Sequence, residues 1–114
     1  MTTNYVEYVL DLLSPFGSIT SRAMFGGYGI YKDSIIVAII AYDELYFKVD
    51  STNQLQYENL GSTPFTFLTK DKKIAMSYWK VPLEIMEDES RLSEWLEQSY
   101  DISLKNKKKS RRKP

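Results

Sequence analysis

The stretch Ile35-Ile36-Val37-Ala38-Ile39-Ile40-Ala41-Tyr42 is β-branched and apolar, with no polar residue in alternation. A strand with one wet face alternates, so an unbroken run of this kind belongs to a central strand covered on both faces. It is also the longest apolar run in the chain, at eight residues. Spanning a bilayer takes roughly 20. On its C-terminal side Asp43-Glu44 turns the chain, and Leu45–Asp50 then alternates: Leu45, Phe47 and Val49 on one face, Tyr46, Lys48 and Asp50 on the other. On its N-terminal side Lys32-Asp33-Ser34 is turn material, preceded by an aromatic-rich β segment, Ala23–Tyr31. Three strands joined by connections this short form an antiparallel meander.

The flanking segments supply a cover for the sheet. In Tyr5–Leu13 the residues Val6, Val9, Leu10 and Leu13 fall on one helical stripe, which Ser14-Pro15-Phe16-Gly17 stops. Ser51-Thr52-Asn53-Gln54 has the pattern of a capping box, opening a short helix with Leu55 and Leu60 that ends at Gly61. After Pro64 a second β pair, Phe65–Thr69 and Ile74–Trp79, flanks the loop Lys70-Asp71-Lys72-Lys73. Pro82 suits the first turn of a helical segment, and Glu87, Asp88 and Glu89 favour the start of another. Leu92, Trp95, Leu96 and Tyr100 give this last helix a buried stripe. The order α-βββ-α-ββ-α predicts a two-layer α+β domain, one antiparallel sheet backed by helices, over residues 1–104.

The chain of 114 residues carries 15 Lys+Arg and 15 Asp+Glu, a formal charge of zero that describes neither of its parts. Seven of the bases (Lys105, Lys107, Lys108, Lys109, Arg111, Arg112 and Lys113) lie in the last ten residues, which hold no acid. The body keeps eight bases against all 15 acids, a formal charge of −7. Residues 105–114 read as a solvated basic tail, disordered in isolation. With no Cys and no His in the chain, thiol chemistry, disulfides, histidine triads and most zinc sites are excluded. The N-terminus lacks a basic region and has Glu7 and Asp11 within its apolar stretch, unlike a signal peptide. The expectation is a soluble cytoplasmic protein with no membrane contact.

Four ordered blocks carry a resemblance: Arg22-Ala23-Met24-Phe25-Gly26-Gly27-Tyr28-Gly29-Ile30-Tyr31, Leu45-Tyr46-Phe47-Lys48-Val49-Asp50, Met76-Ser77-Tyr78-Trp79 with Val81-Pro82, and Leu92 with Trp95. From about Phe16 to Tyr100 the chain resembles the N-terminal domain of the TfoX/Sxy regulators of bacterial competence. That resemblance implies the same α-βββ-α-ββ-α fold and a non-enzymatic regulatory role. TfoX-type proteins act as transcriptional coactivators that help a cyclic-AMP receptor protein turn on DNA-uptake genes. The resemblance implies a protein partner in the transcription machinery, and no catalytic residue, cofactor or metal. The larger regulators continue into a second, helical domain where this chain has its basic tail, so it reads as a stand-alone N-terminal domain.

Each candidate site has a structural alternative. The glycines of Met24–Gly29 suggest a phosphate loop, but such a loop follows a strand and opens a helix. A bulge, a close approach or a Gly26-Gly27 hairpin turn accounts for them better. Arg22 suits a phosphate or an acidic partner, or a local carboxylate. Trp79 and Trp95 are either interface anchors or core, and periodicity puts Trp95 in the core. Tyr46, Phe65, Phe67 and Tyr78 suit a platform for stacked bases, against which stands the −7 charge of the body. Glu84, Glu87, Asp88 and Glu89 are explained by helix N-termini before a metal is invoked. The seven tail bases are compatible with DNA or RNA phosphates, with an acidic partner, and with the chain's own body. The rival function is a small-ligand or enzymatic domain with a carboxylate, Lys or Tyr site near the glycines.

Overall fold

Why the apolar run at 35–42 sits at the centre becomes visible in a computed structural model that describes residues 3–24, 26–68 and 70–111. Six strands, β1 (Ile19–Met24), β2 (Gly27–Lys32), β3 (Ile35–Ala41), β4 (Glu44–Lys48), β5 (Pro64–Leu68) and β6 (Lys73–Lys80), form one sheet in the order β1-β2-β3-β4-β6-β5. Every pairing is antiparallel. Helices α1 (Thr3–Leu13), α2 (Gln54–Asn59), α3 (Leu83–Met86) and α4 (Glu89–Arg111) complete the element order. All four contribute to a single core on one face of the sheet, with Val9, Tyr57, Ile85 and Leu96 meeting Val37 and Phe47 there. The α+β class and the order α-βββ-α-ββ-α hold, with one strand added: β1, most of which precedes the segment Ala23–Tyr31, pairs with β2 in a hairpin and forms the sheet edge.

That hairpin corrects the reading of Gly26-Gly27 as its turn. Met24 pairs with Gly27, and Gly26 has φ +78°, so Gly27 belongs to the strand and not to the turn. Phe25 lies outside the described residues. Glycine at 27 answers a close approach: a Cβ there would stand 2.2 Å from the Ile40 carbonyl oxygen.

The run at 35–42 is covered on one face only. Ile35, Val37, Ala38 and Ile40 are buried toward the helices, whereas Ile36, Ile39 and Ala41 are half-buried on the opposite face. Burial there comes from neighbouring strands, not from a second layer. A bulge opposite Ile30/Tyr31, where the register jumps from Ala38 to Ile36, lets the adjacent Val37 and Ala38 both reach the core. The two turns flanking β3 each hold a pair of residues at positive φ, Asp33 and Ser34 (50° and 72°) and Tyr42 and Asp43 (54° and 59°), as type I′ hairpins require. None of the four is glycine. Ser34→Gly should therefore raise stability by about 0.5–1 kcal/mol, read as a higher midpoint in urea.

The capping box at Ser51 does not form. Asn53 is the N-cap of α2 and makes no side-chain cap bond; its Oδ1 accepts the Asp50 N–H at 2.9 Å, while the Asp50 carboxylate accepts the Thr52 N–H at 2.8 Å. Side chains that bond their own turn delay the helix by two residues. At the other end Gly61 (φ +77°) and Ser62 donate to the Glu58 and Tyr57 carbonyls, a complete Schellman motif. Asp88 caps α4, its carboxylate accepting the Arg91 N–H at 3.2 Å.

Candidate nucleic-acid interface

Strand alternation divides the sheet residues between the core and an opposite face that no described helix covers. Ile40, Phe47 and Trp79 point to the core. Their neighbours Ile39, Tyr46, Lys48 and Tyr78 point away from it, joined by Arg22 and Tyr31. Tyr46 meets Phe65 edge-on at 5.1 Å between ring centroids, and Tyr42 lies 6.5 Å from Phe65. The Arg22 guanidinium stands 5.6 Å from the Tyr31 ring centre, and the Lys48 amine 5.0 Å from that of Tyr78. Trp95 is core, 4.4 Å from Tyr57, and Trp79 is half-buried against the same cluster.

The four aromatics read as a platform therefore share a face, but unequally: Phe67 is exposed and Tyr78 is buried, with Lys48 over its ring. The electrostatic objection to this face needs correcting. Of the 15 acids only Glu44 lies in a strand, and it pairs with Lys80 at 3.2 Å; the other acids sit on helices, turns and loops. A body charge of −7 is a sum over two unlike surfaces. The strands of the open face carry Arg22, Lys48 and Lys80 against that single carboxylate, with Asp50 just past the end of β4 acting on Lys48.

Burial pushes the Lys48 amine below the ordinary lysine value, against the pull of nearby Asp50. It pushes the Tyr78 phenol up, with Tyr31 adding to the effect, and Tyr46 up in the same way beside Glu44. The Lys48 carbonyl accepts the Ser99 hydroxyl of α4 at 2.8 Å, which fixes the end of β4 against that helix.

Helix α4 runs without a break past Leu104, through Lys105, Lys107, Lys108 and Lys109 to Arg111. Lys and Arg are good helix formers, and their charges complement the C-terminal end of the helix dipole. Lys105 and Lys107 are exposed; Arg112 and Lys113 lie outside the described residues. Where α4 passes the end of the sheet, Tyr31, Lys48, Tyr78, Ser103 and Lys107 surround a cavity of about 350 Å³. Sequence reasoning isolated the tail bases and Tyr78 separately and gave no role to Tyr31, Lys48 or Ser103. The alternation of 45–50 put Lys48 on the polar face, but only strand register brings it beside Tyr78.

The remaining candidates have structural roles. Gly27 and Gly29 lie within β2 and make no phosphate loop. A Cβ on Gly29 would crowd Met24, Tyr31 and Ile36 at 2.7, 3.2 and 3.4 Å. Glu84 pairs with Arg91 at 3.6 Å, and Asp88 is spent on its cap. Among the described residues no three acidic side chains converge as a metal site would need, and no helix is long and apolar enough to cross a membrane.

An antiparallel sheet with helices packed on one face, its other face bearing aromatics and cations, defines a domain of α+β type. The family model for the TfoX N-terminal domain matches residues 11–103, and the chain belongs to that family. No curated protein matches it significantly.

Proposed function

We propose that this chain is a non-enzymatic regulatory domain, related in role to the N-terminal domain of TfoX-type competence coactivators. It acts by binding: a protein partner of the transcription apparatus, and nucleic-acid phosphates through the basic end of α4. The observation that carries this reading is the division of charge along one helix. The packed part of α4 bears Glu94, Glu97 and Asp101, and its last turns bear only bases. The helix carries Lys105 and Lys107, both exposed, at a fixed rise from the body, so a duplex backbone meets cations presented together there. Family membership supports the regulatory part of the reading.

The test is duplex-DNA binding across a salt series. If all seven bases from Lys105 to Lys113 engage phosphate, the log–log slope approaches about −6. A variant with all seven changed to Gln should bind far more weakly and with a slope near zero. Equal binding by the two proteins, or none by either, would remove the nucleic-acid part of the proposal.

A further inference from the structure

We propose that the cavity between the end of the sheet and α4 binds a nucleoside-phosphate unit, its base against Tyr31 and its phosphate between Lys48 and Lys107. This goes beyond charge contact by the helix end, which needs no cavity and recognises no base.

Three independent observations converge on that ligand class. The first is composition. The walls combine the half-buried Tyr31 ring with two lysines, the pairing of aromatic surface and positive charge that base stacking and phosphate binding require. At about 350 Å³ the space lies at the small end of the range for ligand pockets, roughly 300–1,000 Å³.

The second is an orphan group. Ser103 is 6 % exposed, and its Oγ is shut off from solvent with no hydrogen-bond partner among the described residues. An unpaired buried hydroxyl costs about 1–3 kcal/mol. Ser103 stands in the cavity wall, where turning its side chain toward a ligand oxygen would supply the missing partner.

The third is electrostatic. The ion pairs of the described residues leave out both Lys48 and Lys107. Asp50 is the acid that acts on Lys48, and its carboxylate also accepts the Thr52 amide; Asp33 is paired with Lys32 at 3.7 Å. Lys48 is half-buried, which disfavours its charged form, and an arriving anion would favour that form. Opposite the helices, Gly29 leaves room for the Tyr31 ring to lie beside Ile36.

The unit comes either as a free nucleotide or as one residue of a single strand. Amide resonances of the full chain would be followed during titration with AMP, adenosine, inorganic phosphate and a short single-stranded DNA. The expected result is saturable movement of Tyr31, Ile36, Lys48, Tyr78 and Ser103 with AMP or the strand, at least about tenfold tighter than with adenosine or phosphate. Tighter binding of the strand than of AMP assigns the site to single-stranded nucleic acid; the reverse assigns it to a free nucleotide. Lys107→Gln and Tyr31→Leu should each weaken binding about tenfold while leaving the thermal midpoint within a few degrees. Three results would overturn the proposal: movement confined to residues 105–111, which leaves the phosphate contact of the helix end intact; equal response to a polyglutamate peptide; and unchanged affinity in both variants.

Discussion

Gly27→Ala lowers the stability of the domain by about 3 kcal/mol or more, at the upper end of what overpacking costs. The reason is local and steric. A methyl group at 27 would stand 2.2 Å from the Ile40 carbonyl oxygen and 3.6 Å from the Ala41 Cα, both in the backbone of the adjacent strand. Backbone cannot swing aside as a side chain does, so β2 must draw away from β3. That seam holds the core residues Ile30, Ala38 and Ile40 in register. Gly26→Ala is the control, since nothing lies within 4 Å of its added methyl and the cost is only that of φ +78°, about 1 kcal/mol. Urea midpoints of the two variants should differ accordingly. Equal losses would show that the close approach at 27 is relieved more cheaply than the sheet geometry requires.

Tyr57→Ala is expected to cost about 3–5 kcal/mol, whereas Tyr57→Phe costs nothing or stabilises by up to about 1 kcal/mol. Tyr57 is fully buried and is the only buried residue of the six-residue helix α2. Its ring lies 4.4 Å from that of Trp95 and 6.5 Å from that of Trp79, so it ties α2 to both α4 and β6. The hydroxyl adds nothing comparable. It is sealed from solvent, and the Ser99 hydroxyl beside it is a poorly aligned acceptor that itself donates to the Lys48 carbonyl. Chemical denaturation of the pair separates ring packing from the polar tip. A loss of about 2 kcal/mol in Tyr57→Phe would mean that the phenol is satisfied after all.

The fold was legible wherever one physical rule acted alone. The run at 35–42 announced a strand inside the sheet, though not that one of its faces is open; the stripe through Val9 and Leu13 announced a helix, and Gly61 a helix end, because each signal is local. The readings that changed were those in which two rules compete. Asp50 and Asn53 bond their own turn, so the capping-box pattern at Ser51 lost to them. Glycine at 27 looked like a turn residue because close contact with another strand leaves the same mark in a sequence as positive φ. The candidate site was less legible. Lys48, Tyr78 and Lys107 are far apart in the chain, and net charge concealed that the acids gather on helices and turns while the open face is cationic. Periodicity shows that a residue faces away from the core; only register shows which residues it faces there.

The most direct test of the account is lysine acetylation of the full chain, with and without a short single-stranded DNA, read site by site by mass spectrometry. Bound nucleic acid should protect Lys48, Lys105 and Lys107, which lie where the open face meets the end of α4. Lys80, paired with Glu44 toward the opposite end of β4, and Lys32, held on the core face between Asp33 and Glu97, should react as before. Protection spread evenly over all lysines, or falling on Lys32 and Lys80 while Lys48 stays reactive, would contradict the placement of the contact surface.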